Sequence, residues 1–365
     1  ASLDTAITLL PTKSQWGSAN VARASKGAAQ SLLAKAYLYE SSYAKNYSSD
    51  ERFTGCENKY AKALEMAEAV INSNEYSLPG LNGETYDTYW NQNDSPLYPD
   101  KTPGYRYIFT VNGENGSESV FEVQGVCDGG GYMQSRGTYL TVYSACRNVE
   151  GGASLGWGFF CPTPELYSAY EEGDLRRSVS IASNNDPVYI ATGWTKLDCK
   201  QSPTNMYTRK YEASPEQYWT AKSSDGEGPT NFPYIRYADV ILMAAEAAVE
   251  TGNSQKALDW VNMIRTRARN GAATGVPANL SSVTLEDVIK ERQLELAMEG
   301  HRFFDIIRWG KQDVLIDQPL QRWLGGVEQS PLFYCTMTPG KNDFRPIPLQ
   351  EVINSNGGLV QYQGW

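Results

Sequence analysis

The chain has 365 residues, room for one large domain or two ordinary ones with a substantial core. Its 42 acidic and 32 basic side chains leave a formal charge of −10, which argues against nucleic acid and anionic lipid surfaces and fits a neutral or cationic ligand. No apolar run is long enough to cross a bilayer, and the single histidine, His301, removes most His-based metal sites and makes a His-dependent triad a poor reading.

Residues 1–20 read as an irregular entry segment. The chain opens at Ala1 with no signal peptide, so targeting information is expected to have been removed or never to have belonged to this sequence. From Val21 to Tyr43 apolar residues recur at helical spacing, with Ala28, Leu32, Ala36 and Tyr39 on one stripe and Leu33 and Tyr37 beside it. A polar loop with Asp50, Gly55 and Cys56 leads to a second helix over about Glu57 to Ser73, carried by Ala63, Ala67 and Val70. From about Leu78 to Phe232 the texture changes to Gly, Pro, Asn, Ser and Tyr. Strands are predicted at Tyr107–Val111, Ser119–Val123 and Pro187–Ile190, and a short helix from Pro164 through Leu166 to Tyr170. Roughly 150 residues of connecting chain far exceed ordinary loop length, so this region is expected to be an ordered insertion that carries function.

The stretch from Tyr234 to Lys311 holds the clearest pattern. Ile235, Ala238, Leu242, Ala245 and Val249 define one helix. Asn253 and Ser254 are positioned to cap a second, whose inner face is Ala257, Val261, Ile264 and Ala268. Gly252 between them supplies a left-handed turn. Small residues at Ala244, Ala245, Ala248 and Ala257 fall where two antiparallel helices approach, as in a tetratricopeptide repeat, although Arg269 stands where that repeat ends in Pro. The N-terminal pair is the same unit with a longer loop. Thr284 followed by Asp287 reads as a capping box for a helix reaching about Met298, Gly300 breaks it, and a shorter helix runs from Arg302 to Trp309. The tail from Gln312 to Trp365, with five prolines, is predicted to be irregular and to wrap the scaffold.

The fold expected is therefore mainly α, a tetratricopeptide-like helix-turn-helix scaffold (an α-α superhelix) with a long loop-rich insertion containing short strands. The whole of 1–365 forms one domain, made of a first hairpin (21–75), a ligand-binding insertion (78–232), a second hairpin with the following helices (233–311) and a wrapping tail (312–365).

Little in the chain suggests catalysis, and no catalytic residue is assigned. Glu291, Arg292, Glu295, Glu299, Arg302, Asp305 and Arg308 could form an acid/base site, but charges set between apolar residues of a scaffold are better read as ties from these helices to the tail. Nothing in the spacing of Glu165, Glu171, Glu172 and Asp174 brings an acid and a nucleophile together for glycoside cleavage. Gly129–Gly131 lacks the Lys of a P-loop, and Asp94 and Asp100 lack a calcium-loop pattern, so neither a cofactor nor a metal is expected. The six cysteines show no zinc spacing; a disulfide or two is compatible with an oxidising compartment, without an assignable pairing. His301 is expected to pack or hydrogen-bond at the helix break.

The aromatic clusters carry more. From Cys127 to Phe160, Tyr132, Tyr139, Tyr143, Trp157, Phe159 and Phe160 alternate with Gln134, Arg136, Arg147 and Asn148. Sugar rings offer apolar C–H faces to aromatics, and their hydroxyls need amide and Arg partners. The candidate ligand-binding residues are Tyr132, Arg136, Tyr139, Tyr143, Trp157 and Phe159, against the alternative that these rings pack the loop onto the scaffold. Trp194, Tyr207, Tyr218 and Trp219 form a weaker second group.

The segments KGAAQSLLAKAYLY, GWGFFCPTPELYSAYEEGDLRR, YIRYADVILMAAEAA, ERQLELAMEGHRFFDIIRWGK and FRPIPLQEV, in this order, resemble the SusD/RagB family of surface nutrient-binding lipoproteins of Bacteroidetes. The resemblance implies a non-catalytic protein at the outer membrane, facing outward. Such a protein captures an oligosaccharide or related nutrient and passes it, by a lid-like motion, to a SusC-like TonB-dependent transporter. The helical hairpins would supply the frame and the transporter contact. Family members carry an N-terminal portion, starting at a lipidated Cys, before the KGAAQ helix. That portion is expected to be missing here, so membrane association would run only through an anchor outside this chain, and Cys56 is not that anchor. Two other readings compete: a repeat adaptor gripping peptide or protein near Tyr37, Arg236 and Arg265, and, least favoured, a glycoside hydrolase.

Overall fold

Alanine allows the helices of both hairpins to close on one another. In the computed structural model, residues 2–91, 95–126, 137–152, 155–190, 193–212, 228–270, 274–315, 318–324, 327–335, 337–362 and 364–365 are described. Helices α1 (Ser2–Leu9) and α2 (Lys13–Trp16) precede the first hairpin, α3 (Lys26–Asn46) and α4 (Tyr60–Ile71). The entry segment is thus largely helical rather than irregular. Thr12 and Gln15 form a capping box at α2, and Ser25 caps α3 by accepting from the Ala28 amide at 3.2 Å. The buried side of α3 is Ala28, Leu33, Ala34 and Leu38; the predicted stripe through Leu32 and Ala36 faces solvent. Serines shift the true stripe. Ser31, Ser41 and Ser42 sit on the buried side because each hydroxyl donates to the carbonyl four residues back, at 2.8, 2.7 and 2.9 Å.

Short elements fill the insertion. β1 (Thr85–Tyr86) pairs with β2 (Thr102–Pro103), and α5 (Gly104–Tyr107) follows. The predicted strand Tyr107–Val111 is instead the end of α5 and a turn, in which the Tyr107 carbonyl accepts from the amide and hydroxyl of Thr110. Next come β3 (Ser119–Val123), α6 (Leu140–Ser144), α7 (Pro164–Ala169), α8 (Leu175–Ser180), β4 (Ile181–Ser183), β5 (Pro187–Ile190), β6 (Gly193–Lys196), β7 (Met206–Thr208) and β8 (Phe232–Arg236). The pairs β3–β8, β4–β7 and β5–β6 are all antiparallel two-stranded ribbons.

β8 runs directly into α9 (Tyr237–Glu250), which is followed by α10 (Ser254–Arg269). The turn between them closes with the Asn253 amide on the Ala248 carbonyl at 2.7 Å and Gly252 at φ +79°, a conformation glycine adopts without a Cβ penalty. Asn253 occupies the cap position without a side-chain capping bond; its amide group donates to Thr251 instead. Ala34, Leu38, Ala67, Val70, Ala245, Ala248, Ala257, Val261 and Ile264 lie in one continuous core across both hairpins. Then α11 (Leu285–Glu295) starts at the Thr284–Asp287 capping box and stops at Glu295, short of the predicted Met298, because the chain turns through Met298 (φ +64°) and Gly300 (φ +82°) into α12 (Arg302–Arg308). The tail is not wholly irregular. β9 (Gln318–Leu324) and β10 (Val327–Cys335) form an antiparallel hairpin, with Pro331 inside the register shift between Gln329 and Phe333, and α13 (Leu349–Asn354) follows.

Two buried charge networks join these pieces. In the first, Arg236 grips Glu299 through two bonds (2.6 and 2.8 Å) and also reaches Glu118 and Glu295, each at 2.7 Å. Arg267 bridges Glu118 and Glu295, while Arg176 joins Asp174, Glu291 and Glu295. In the second, Arg292 links Asp239 to Asp305, and Arg308 links Asp305 to Glu246. Among the described residues the charged segment therefore ties α11 and α12 to α8, α9, α10 and β8, not to the C-terminal tail. Each guanidinium meets more than one acceptor, which is what offsets the desolvation of buried charges. His301 accepts from Lys35 Nζ at Nδ1 over 3.3 Å, and burial holds its pKa below the usual value.

Lys210 belongs to the first network at a visible cost. Burial lowers its pKa from 10.5 to about 8, although its Nζ lies 2.7 Å from Glu299 Oε1. Between those two values the unfolded chain binds a proton that the folded chain does not, so this residue makes stability rise with pH across that window. The urea midpoint of the parent should therefore gain on that of Lys210→Met between pH 8 and pH 10. Parallel pH profiles would show that Lys210 keeps its ordinary affinity for protons.

Candidate functional site

The aromatic loop is shaped by its main chain. α6 has only five residues, so its last carbonyls lack helical partners. The segment 155–159 folds back and supplies them. The Trp157 amide donates to Val142 O (2.8 Å), Gly158 to Ala145 O (3.0 Å) and Phe159 to Tyr143 O (2.6 Å), while Leu155 and Gly156 both donate to Cys146 O (3.1 and 3.0 Å). Arg147 Nε adds a bond to Trp157 O at 2.5 Å. With the backbone so engaged, the side chains turn outward. Trp157 is 40% exposed, Phe159 46% and Phe160 58%.

Tyr143 is the centre of the resulting surface. Its ring lies 5.1 Å from Trp157 and 6.0 Å from Phe159, both at 36°, and 5.9 Å from Tyr139 at 27°. Trp157 and Phe159 meet edge to face at 5.8 Å. Four of the six predicted residues, Tyr139, Tyr143, Trp157 and Phe159, are thus brought together; Tyr132 and Arg136 lie outside the described residues, as does Gln134. Phe160 was not among the six. It extends the row at 6.4 Å from Phe159 and sits at φ +59°, an uncommon backbone for a bulky residue. The doubled Phe of GWGFF was the available signal, and both of its rings are exposed.

Beneath the rings lies a small core of Cys146, Val149, Ala182, Val188, Leu197, Cys199 and Tyr207, with Leu155 and Cys161 against it. Burial raises the thiol pKa of Cys146 and Cys161 and pushes that of Cys199 up to about 12, so these are protonated apolar fillers. Cys56, Cys146, Cys161 and Cys199 are all free thiols. Gly156 fits under this loop only because it lacks a Cβ, which would sit 2.2 Å from Val142 O. Gly156→Ala should displace the loop and lower stability by about 1–3 kcal/mol, with weaker ligand binding than the loss of stability alone explains. A thermal melt alongside a binding titration checks this.

The other candidates disperse. Of the second aromatic group, Tyr207 is buried, Trp194 packs on Tyr189 (5.3 Å) and Trp90 (6.2 Å), and Tyr218 and Trp219 lie outside the described residues. Arg236 and Arg265, which an adaptor groove would need free, are engaged by Glu118, Glu295, Glu299, Glu291 and Glu171. Asp174 caps α8 and pairs with Arg176, and Glu171 pairs with Arg265. Among the described residues no group of three His, Cys, Asp or Glu side chains is placed to hold a metal; Asp94 lies outside them. No helix in the described residues is long and apolar enough to cross a membrane.

The SusD-family profile matches residues 117–365. The chain belongs to the SusD family. SusD-like protein P2 from Formosa agariphila is 28% identical over 283 residues, covering 73% of this chain and 54% of that protein. A SusD-like protein from Bacteroides fragilis superposes with a TM-score of 0.73 at 22% identity, over 100% of this chain and 69% of the other. Surface glycan-binding protein A from Bacteroides thetaiotaomicron, solved in complex with laminarihexaose, gives 0.69 at 25% identity, over 99% and 68%. This SusD-family chain spans about half the length of the first curated relatives it matches, 54% and 50%.

Proposed function

We propose that this SusD-family chain is a non-catalytic binding module that captures oligosaccharides at the cell surface. The carrying observation is the row Tyr143, Trp157, Phe159: the rings of Trp157 and Phe159 are exposed beside the half-buried Tyr143, while their backbone is fixed on α6. Aromatic faces held open to solvent suit the C–H faces of sugar rings, and a pre-formed platform limits the ordering loss on binding. The likeness to a glycan-binding protein solved with laminarihexaose supports the same ligand class. Tyr139, and Tyr132 and Arg136 by their place in the same sequence run, complete the proposed site. The bound glycan would pass to a SusC-like TonB-dependent transporter at the outer membrane, with the module facing outward. The insertion from 78 to 232 would carry the ligand and the hairpins would frame it.

Affinity-gel electrophoresis against a panel of neutral and acidic polysaccharides tests the reading, paired with a reducing-end assay. Retardation by at least one glycan without release of reducing ends is the expected result. Measurable turnover, or no retardation by any glycan, would overturn it.

A further inference from the structure

A groove of about 900 Å³ is lined in part by the residues that follow the aromatic row in the chain. Phe160 is followed directly by Cys161, Pro162 and Thr163, which form one wall; Leu166, Leu296, Phe303 and Ile306 supply apolar surface. The volume is that of a small-ligand site. What sets it apart is Arg302, the first residue of α12. Its Nη1 is shut off from solvent and has no hydrogen-bond partner among the described residues. Every other arginine of this charged segment is committed, Arg292 to Asp239 and Asp305, and Arg308 to Asp305 and Glu246. Asp305, the acid that most favours charge on Arg302, is therefore already divided between two other guanidinium groups. Glu165 and Asp313 also line the groove, but both are exposed to water.

We propose that this groove is a second sugar subsite, reached by the chain directly after the aromatic row, in which Arg302 receives the anionic group of an acidic sugar unit. The inference rests on the oligosaccharide reading above and adds the charge of the ligand. A planar guanidinium with an unsatisfied nitrogen suits a carboxylate or a sulfate ester, either of which can accept two of its N–H bonds. Because Nη1 is closed to solvent in the unliganded chain, binding turns the Arg302 side chain toward the groove it lines. The apolar wall suits the sugar's C–H face, and Gln293 and Glu165 offer acceptors for its hydroxyls. The net charge of −10 does not forbid this, since charges farther off than about 8 Å are screened at physiological salt.

The test is an array of neutral, uronate-bearing and sulfate-bearing oligosaccharides, probed with the parent, Arg302→Gln, Arg302→Lys and Trp157→Ala. Arg302→Gln should lose about tenfold or more on the acidic ligands and nothing on neutral ones. Arg302→Lys should recover part of that loss, and added NaCl should weaken only the acidic set. The uronate and sulfate arms separate the two anions. If every glycan bound by the parent is neutral, or if Arg302→Gln binds the acidic ones as well as the parent does, the subsite is wrong. Should Arg302→Gln fail to fold, Arg302→Lys decides: acidic ligands held no more weakly than by the parent would overturn the proposal. Loss of binding in Trp157→Ala alone would remove this subsite and leave the oligosaccharide reading standing; a parent that binds no glycan removes both.

Discussion

Glu295→Ala should destabilise the protein by about 3–5 kcal/mol, the loss typical of removing one partner from a buried ion network. Glu295 is fully buried, and its carboxylate accepts from Arg236, Arg267 and Arg176, which come from β8, α10 and α8. Truncation leaves three guanidinium groups short of an acceptor in a site that water does not reach. Those arginines hold the Glu295 carboxyl well below the usual carboxylate range, against burial, which alone would raise it. The sign of the linkage follows. A depressed folded pKa gives stability that is complete above the ordinary value of 4.5 and is lost as pH falls toward the folded value. Urea unfolding of the variant should thus show its full deficit at pH 7 and at pH 5.5, narrowing only under strong acid. A deficit below about 1 kcal/mol would mean that the network relaxes around the loss and does not hold the insertion to the hairpins.

Trp157→Ala should weaken binding of the best oligosaccharide in the panel by about tenfold or more, equivalent to about 1.4 kcal/mol, while moving the melting temperature little. The ring is 40% exposed, so its removal opens no cavity. Its backbone bonds to Val142 O and Arg147 Nε survive the substitution. Trp157→Phe should keep most of the affinity, because a smaller aromatic face stays beside Tyr143. Calorimetric titration of both variants checks the ordering. Equal affinity in Trp157→Ala and the parent would move the ligand off this surface.

The hairpins were legible because their information is local. Ala245, Ala248, Ala257, Val261 and Ile264 each announce a buried face through spacing alone, and Thr284 with Asp287 announces a helix start. Where side chains change role through a tertiary partner, spacing misleads. Ser31 and Ser42 look polar yet line the core of α3, and Leu32 looks buried yet faces water. The charges of Glu291–Arg308 were read as packing, but their partners on α8, α9, α10 and β8 are far apart in sequence, so the tail was named in error. At the aromatic loop, composition identified the rings, whereas their outward aim depends on amides of residues 155–159 finding carbonyls of residues 142–146. No periodicity encodes that. Arg302 was grouped with its charged neighbours for the same reason, since only the packed structure separates the guanidinium left over from those in use.

The way the loop at 155–159 is anchored has an evolutionary corollary. Its path is set by peptide groups, which every residue except proline can supply, and by glycine at 156 and at 158, where φ is +64°. On the proposed site, the side chains at 157, 159 and 160 would answer to the ligand far more than to folding. Exchanging one ring for another, or for a hydrogen-bonding group, would retune which sugar is held while leaving the scaffold as it is. Ligand preference and fold would then be written by separate atoms of the same few residues, so a lineage could revise its diet here without first finding compensating changes in the core.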